Sequence, residues 1–211
     1  MVVTAKADGS PRCTVDLQPQ NRHAVRQTHH VPSPFHLADR IPQNTKKSIT
    51  DACNGYHSVP FREEDRHITT VIALWGTLRY MVTPQGFLAS SDAYTHRFDS
   101  IIADFQDKVK CVDTCMWAKS IEASFFQTCE WLDISSRNGI TLNLRKFQFV
   151  HDSVEFTRLT VTATNVKTSS KFLNSVLNFP TPKDISGARA WFGLVNQGAY
   201  AFAVAKQMKP F

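Results

Sequence analysis

The sequence predicts an α+β fold in which an antiparallel sheet is covered on one face by helices. Segments rich in β-branched residues lie in pairs around turn residues, and two long stretches carry apolar residues at helical spacing. Strands and helices come in runs rather than in strict alternation, which is typical of this class. The 211 residues contain no internal repeat and no low-complexity tract, so we expect no boundary between independent domains.

The composition favours an anionic partner. The chain has a formal net charge of +6 and a sequence pI of about 9.2, although a mildly basic surface without a partner would give the same values. No stretch approaches the roughly 18 consecutive apolar residues of a membrane span, and residues 1–20 lack the apolar core of a signal peptide. We therefore predict an intracellular protein, cytoplasmic or nuclear, without a membrane partner.

The first part of the chain is predicted to form two hairpins joined by an irregular connection. Turn residues at 7–11 divide the first seventeen residues into a hairpin, and prolines at 19, 32, 34 and 42 predict an extended path from residue 18 to 44. Residues 49–53 are a short candidate strand that stops at Asn54-Gly55. Residues 67–75 and 78–83 flank Gly76-Thr77 as a second hairpin.

Two helices are predicted in the middle of the chain. The first covers residues 90–105, and the second runs from the N-cap Ser120 to the stop signal Asn138-Gly139. Between them, residues 109–112 and 115–118 surround Asp113-Thr114, which predicts a tight hairpin with a carboxylate at its tip. The apolar face of the second helix is expected to consist of Ile121, Phe125, Cys129 and Leu132.

The remaining elements are three strands and a last helix. The strands are predicted at residues 140–142, 147–150 and 154–162. Thr181-Pro182-Lys183-Asp184 combines an N-cap, a proline at the first helical position and an acidic residue at the third, which predicts a helix through Trp191 and Leu194.

Asp51 and Asp113 stand at predicted strand ends and can meet on adjacent strands. Two neighbouring carboxylates repel each other, so such a pair usually persists because a cation lies between them. Magnesium prefers oxygen ligands and binds phosphate oxygens, which suits phosphoryl transfer. Taken alone, the two residues are better explained as aspartates that end strands and begin turns.

The chain contains five cysteines, an odd number without a repeated spacing, which signals neither a disulfide framework nor a zinc site. A weaker alternative is a cytosolic metal or redox protein built on Cys111 and Cys115. His29 and His30 are further metal-ligand types, but nothing in the spacing brings them to these cysteines.

A series of motifs resembles those of gypsy-type long-terminal-repeat retrotransposon reverse transcriptases, and its order from residue 6 to about 200 is more specific than any single motif. The motifs are Lys6-Ala7-Asp8-Gly9-Ser10-Pro11-Arg12, Asp51-Ala52-Cys53-Asn54-Gly55-Tyr56-His57, Thr83-Pro84-Gln85-Gly86-Phe87, Cys111-Val112-Asp113-Thr114, Gly139-Ile140-Thr141-Leu142-Asn143 with Lys146-Phe147, and Trp191-Phe192-Gly193-Leu194-Val195-Asn196. The resemblance implies a right-hand polymerase fold with a palm sheet packed on helices, fingers hairpins and the start of a thumb. Residues 1–165 would be fingers and palm, and residues 166–211 the start of the thumb or connection.

The resemblance also implies an RNA-directed DNA polymerase, a nucleotidyltransferase that acts on a dNTP and on a primer paired with an RNA or DNA template. Asp51 and Asp113 would be catalytic residues that bind two Mg²⁺ ions, with Mn²⁺ as a possible replacement. Lys146 would be a candidate proton donor to pyrophosphate.

The resemblance assigns four residues to nucleotide binding. Lys6 and Arg12 would grip the triphosphate, Tyr56 would exclude the ribose 2′-hydroxyl, and Gln85 would lie in the loop that positions nucleotide and template.

The chain departs from the family at the active hairpin. Thr114 replaces the second aspartate of Tyr-x-Asp-Asp, Cys111 replaces its tyrosine, and Phe156-Thr157-Arg158-Leu159 departs from the Phe-Leu-Gly pattern of the primer grip. We therefore expect weakened activity. We also expect a fragment that lacks the beginning of the fingers and that had further polyprotein segments on both sides in an intact element. The alternative is an inactive retroelement remnant that only binds nucleic acid.

Overall fold

A computed structural model describes residues 2–5, 9, 11–26, 28–53 and 55–198 of the chain. The helices are α1 (Gln18–Asn21), α2 (Pro34–Asp39), α3 (Ser90–Ile101), α4 (Ile121–Arg137), α5 (Ser170–Leu177) and α6 (Ile185–Gln197). The strands are β1 (Val2–Ala5), β2 (Pro11–Thr14), β3 (Lys46–Asp51), β4 (Val71–Ala73), β5 (Gly76–Leu78), β6 (Lys108–Lys110), β7 (Asp113–Ala118), β8 (Gln148–His151), β9 (Val154–Phe156), β10 (Leu159–Val161) and β11 (Val166–Thr168). Helices together with antiparallel sheets confirm the predicted α+β class.

The chain divides into two compact units that alternate along the sequence. The first consists of Met1–Val31, Ala52–Phe105 and Trp131–Leu142, and the second of Pro32–Asp51, Gln106–Glu130 and Asn143–Phe211.

The first unit contains the hairpins β1–β2 and β4–β5 and the helix α3. Its apolar packing is aromatic: the ring of Trp131 is fully buried and lies 5.8 Å from Phe98 and 5.5 Å from Phe105, measured between ring centroids. The predicted N-terminal hairpin and the predicted helix at residues 90–105 are both confirmed, although the helix ends at Ile101.

The second unit contains two antiparallel sheets, one with the strand order β6-β7-β3-β8 and one with the order β11-β10-β9. Leu37 and Ala38 of α2 pack with Ile49 and Cys115 of the four-stranded sheet and with Phe156 of the three-stranded sheet in one hydrophobic core. Because both sheets contribute to this core, the strands that carry the candidate site are held on a well-packed base.

One predicted connection and one predicted hairpin differ in the structure. The path from residue 18 to 44 contains α1 and α2, because Pro19 and Pro34 lie in the first turn of each helix, where the missing proline N–H removes no helical hydrogen bond. The second hairpin is shorter than predicted, since Glu63–Thr69 is a 3₁₀ turn. Its turn was also predicted at the wrong place: Ala73 pairs with Gly76 around Leu74 and Trp75, whereas Gly76-Thr77 lies within β5.

The C-terminal elements also differ in detail. Residues 140–142 form only a single bridge, between Leu142 and Ala52, and residues 154–162 divide into β9 and β10. Helix α6 begins later than predicted, because the carboxylate of Asp184 caps it by accepting the N–H of Gly187 at 2.6 Å. The sequence patterns did not indicate β11 or α5.

Helix α4 exposes the side chains that were expected to face the core. Its cap by Ser120 is confirmed, since the Ser120 hydroxyl accepts the N–H of Ala123. However, Ile121 and Phe125 are 62% and 52% exposed, and Cys129 and Leu132 are exposed as well. The buried residues are Ser124, Thr128, Trp131 and Ser135. The predicted apolar face is therefore wrong, and small polar residues occupy the covered face.

We expect Ser135→Ala to stabilise the chain. The Ser135 hydroxyl is buried and has no hydrogen-bond partner among the described residues, so its removal should raise the free energy of unfolding by about 1 kcal/mol. Urea denaturation measures this change. Ser136→Ala on the exposed side of the same helix is the control for helix propensity. Equal effects of both substitutions would contradict the expectation.

Candidate active site

The pairing of β3 with β7 brings Asp51 and Asp113 together. The antiparallel register runs from Lys46 opposite Ala118 to Asp51 directly opposite Asp113. Asp113 is the first residue of β7 and does not lie at the hairpin tip as predicted. The turn is Cys111-Val112, closed by the N–H of Cys111 donating to the carbonyl of Asp113 at 3.1 Å.

Asp51 is held through both its backbone and its side chain. Its carbonyl accepts the N–H of Asn143 at 2.8 Å, and Asn143 caps the 3₁₀ turn Leu144–Lys146. The ammonium group of Lys146 lies 2.8 Å from Oδ2 of Asp51, which is 8% exposed. The three predicted catalytic residues are thus assembled within the second unit.

The pKa of Asp113 is raised above its ordinary value. Burial is the main cause, and the negative charge of Asp51 adds to it. The N–H of Thr157, which donates to Oδ2 of Asp113 at 3.2 Å, and the charge of Lys146 act in the opposite direction. Without a divalent cation, Asp113 therefore binds its proton more tightly than an exposed aspartate.

A polar cavity of about 320 Å³ opens beside Asp113. Arg145, Lys146, Glu155 and Thr157 line it together with Asp113. The sequence patterns did not single out Arg145 or Glu155. The side-chain amide of Gln148 exchanges hydrogen bonds with the backbone of Glu155 and so joins β8 to β9 at this cavity.

Thr157 adopts a backbone conformation that favours glycine. It has φ = 55° in the two-residue turn between β9 and β10, where Phe156 pairs with Leu159. A β-branched residue in the left-handed region is strained. In the Phe-Leu-Gly pattern the glycine falls on Arg158, so the left-handed bend of this chain lies one residue earlier, at Thr157.

Thr157→Gly should stabilise the chain by about 1 kcal/mol, because glycine adopts this φ without steric strain. The N–H that donates to Asp113 is retained. Thermal and urea unfolding would measure the change. Lys167→Gly, at an exposed position inside β11, should instead cost roughly 0.5–1 kcal/mol. A loss of stability in Thr157→Gly of the same size would show that Thr157 is not strained.

The two carboxylates fit magnesium better than a metal that needs a complete protein cage. No group of three or more His, Cys, Asp or Glu side chains that could hold a metal ion occurs in the described part of the chain. Magnesium keeps several of its waters and is commonly bound through one or two carboxylates plus substrate phosphates. Asp51 and Asp113 provide that number of carboxylates.

Thr114 adds no ligand to this pair. It is 2% exposed and follows Asp113 in β7, so its side chain points to the opposite face of the sheet. It pairs with Thr50 on one side and with Lys110, which is 9% exposed, on the other.

Three of the predicted nucleotide-binding residues, Arg12, Tyr56 and Gln85, belong to the first unit. Tyr56 lies in the 3₁₀ turn Gly55–Ser58, with its ring 5.6 Å from that of Tyr94 in an edge-to-face contact. A Cβ on Gly55 would lie 2.7 Å from the Tyr94 ring, so a larger residue there would displace that ring. Gln85 is half-buried in the turn before α3. Arg12 is placed in β2 by its backbone only, and Lys6 lies outside the described residues.

The environments of the cysteines oppose metal or redox chemistry at Cys111 and Cys115. Cys115 is fully buried in the sheet, and burial raises its pKa to about 12. Burial also raises the pKa of Cys111. Since the thiolate is the reactive and metal-binding form, both sites disfavour that chemistry.

The curated relatives of the chain are polyproteins of viruses and transposons. The chain is 21% identical over 192 residues to an enzymatic polyprotein of cassava vein mosaic virus, which covers 90% of this chain and 29% of that protein. It is 22% identical over 194 residues to the transposon Tf2-3 polyprotein of Schizosaccharomyces pombe, covering 90% of this chain and 15% of that protein. The Pol polyprotein of transposon opus from Drosophila melanogaster is 21% identical over 188 residues, covering 88% and 19% of the two chains. No protein-family model matches the chain.

The structure matches foamy viral protease-reverse transcriptases. The dRH form in complex with double-stranded DNA has a TM-score of 0.84 at 19% identity, over 93% of this chain and 35% of that one. The complex with an RNA/DNA hybrid has a TM-score of 0.77 at 21% identity, over 93% and 27%.

The chain has a reverse transcriptase fold. Its relatives are retroelement Pol polyproteins, and it spans less than a third of the first of them. The narrower assignment to gypsy-type elements stays a prediction. Among the described residues, no helix is long and apolar enough to cross a membrane.

Proposed function

We propose that this reverse transcriptase domain catalyses RNA-directed DNA synthesis, in which a primer 3′-hydroxyl attacks the α-phosphate of a deoxynucleotide and pyrophosphate leaves. The observation that carries the proposal is the direct pairing of Asp51 with Asp113 beside Lys146, in a fold shared with reverse transcriptases. Matched structures bound to double-stranded DNA and to an RNA/DNA hybrid support a primer-template as the partner.

In this proposal Asp51 and Asp113 hold two magnesium ions, for which manganese can substitute. The ions would neutralise the charge that develops on the attacking and leaving oxygens. Thr157 orients Asp113 through its backbone N–H, and Asn143 fixes the end of β3 at Asp51.

Lys146 would donate a proton to the leaving pyrophosphate. Its side chain is 63% exposed although its ammonium group reaches Asp51, so it can move toward a leaving group once the metal ions balance the charge of Asp51. Lys6 and Arg12 would bind the triphosphate, Tyr56 would exclude the ribose 2′-hydroxyl, and Gln85 would position nucleotide and template.

The domain limits and the wider context are part of the proposal. Residues 1–165 would be fingers and palm and residues 166–211 the start of the thumb or connection, within a Pol polyprotein that continues on both sides in an intact element. An intracellular location, cytoplasmic or nuclear, fits this role.

A second candidate is a remnant that binds nucleic acid without catalysis, which the buried, uncharged Thr114 beside Asp113 favours. Primer extension on an RNA template, with Mg²⁺, with Mn²⁺ and with a chelator, separates the two functions. Extension that depends on metal and on the template base supports the polymerase. Salt-dependent binding of the primer-template without extension in either metal supports the remnant.

A further inference from the structure

Lys146 is fixed to Asp51 at two points. The 3₁₀ turn that carries it begins at Asn143, whose N–H donates to the carbonyl of Asp51 at 2.8 Å. The turn then closes through the N–H of Lys146, which donates to the carbonyl of Asn143 at 3.1 Å. From this position the ammonium group of Lys146 reaches Oδ2 of Asp51 at 2.8 Å. The contact is therefore set by the backbone as well as by charge.

The ammonium group of Lys146 lies where the two carboxylates need a positive charge when no metal is bound. Asp51 is buried and Asp113 is half-buried, and the two are directly opposed in a sheet, an arrangement of carboxylates that requires a compensating cation. Lys146 supplies one positive charge at Asp51, and the same charge favours the ionised form of Asp113. Because the side chain of Lys146 is mostly exposed, its ammonium group can move away from Asp51 into solvent.

We infer that Lys146 is an internal counter-ion of the metal-free chain, and that a divalent cation gains its place at Asp51 by displacing the ammonium group. The inference rests on the proposed function, because it takes Asp51 and Asp113 as the metal ligands. It gives Lys146 a positioning role before catalysis, distinct from proton donation. The same displacement would release Lys146 toward the leaving group.

The binding of Mn²⁺ alone, without nucleotide or nucleic acid, tests the inference. Electron paramagnetic resonance of free Mn²⁺ would be used to titrate the full chain, Lys146→Met and Lys146→Arg at one pH. Removal of a competing positive charge a few ångströms from the metal should tighten Mn²⁺ binding about tenfold in Lys146→Met. Lys146→Arg keeps the charge and should bind Mn²⁺ as the unaltered chain does.

Arg145→Met is the matched control. Arg145 belongs to the same turn and lines the same cavity, so its removal lowers the local positive charge by the same amount. If Mn²⁺ binding is weakened by the direct contact of Lys146 with Asp51, and not by positive charge anywhere near the site, Arg145→Met should change the Mn²⁺ affinity by less than about threefold. Thermal unfolding adds a second readout: Lys146→Met should melt at a lower temperature than the unaltered chain without metal, and Mn²⁺ should reverse this difference.

The outcomes separate this inference from the proposed function. Mn²⁺ binding by the unaltered chain, with equal or weaker binding by Lys146→Met, would overturn the counter-ion role and leave the carboxylates as metal ligands. Binding by Lys146→Met that Asp51→Asn abolishes in the double variant would support the displacement at Asp51. Absence of Mn²⁺ binding from every variant would overturn the counter-ion inference but not the proposed function, because substrate phosphates supply further metal ligands during primer extension.

Discussion

Asp113→Asn should abolish primer extension and at the same time stabilise the metal-free chain. The substitution removes a carboxylate that holds the metal in our proposal, so we expect a loss of at least about 100-fold in extension. It also removes a half-buried negative charge that faces Asp51, which should raise the unfolding temperature by roughly 2–4 °C. Extension assays and thermal unfolding of the same preparations test both parts.

The stabilisation by Asp113→Asn should depend on pH with a defined sign. Because the pKa of Asp113 is raised in the folded chain, the protonated form favours folding, and this contribution is complete below the ordinary pKa of 3.8. It is lost as the pH rises through the raised pKa. The advantage of Asp113→Asn should therefore be small in acid and grow toward neutral pH.

Asp133→Asn is the control for this pH dependence. Asp133 lies on the exposed face of α4, in an ion pair with Arg137. Its replacement makes the same change in charge at the surface and should give no stabilisation at neutral pH. An advantage of Asp113→Asn that stays constant from pH 3 to 7 would contradict the assigned cause.

Thr114→Asp should increase extension by about tenfold through added negative charge near the metal ligands. Thr114 and Asp113 point to opposite faces of the sheet, so the new carboxylate would act through its field rather than as a direct ligand. Lys110, the cross-strand neighbour of Thr114, is 9% exposed and lies on the same face, where it can neutralise the buried acid.

Thr114→Asn is the matched control, because it has the shape of aspartate without its charge. We expect it to leave extension unchanged. A folded Thr114→Asp chain without any gain would show that the missing second acid is not what limits activity. A Thr114→Asp chain that unfolds would show that Lys110 does not compensate the buried carboxylate.

The sequence predicted the pairing of the proposed catalytic residues because motif order carried more information than local patterns. Asp51, Asp113 and Lys146 are far apart in the chain, and the resemblance placed all three before the structure brought them together. The position of Asp113 within its hairpin was wrong, since Asp113-Thr114 resembles a turn by composition while the sheet register extends to it. Tertiary pairing overrode turn propensity there.

Burial was harder to predict than the elements themselves. The period of α4 identified a helix, but the covered face carries Ser124 and Ser135, so apolar spacing pointed to the wrong side. The burial of Lys47 was not predicted from the sequence either. Lys47 is fully buried in β3, and its ammonium group donates to the carbonyls of Thr45 and Asp152. Such placements depend on backbone acceptors that only the folded chain provides.

The most direct test of the central claim is the incorporation of a single complementary deoxynucleotide opposite an RNA template base. The chain and Asp51→Ala would be compared with Mg²⁺ at equal concentrations of protein and primer-template. We predict a metal-dependent product with the unaltered chain and none with Asp51→Ala. Equal product from both would contradict the assignment of Asp51 and Asp113 as the catalytic centre.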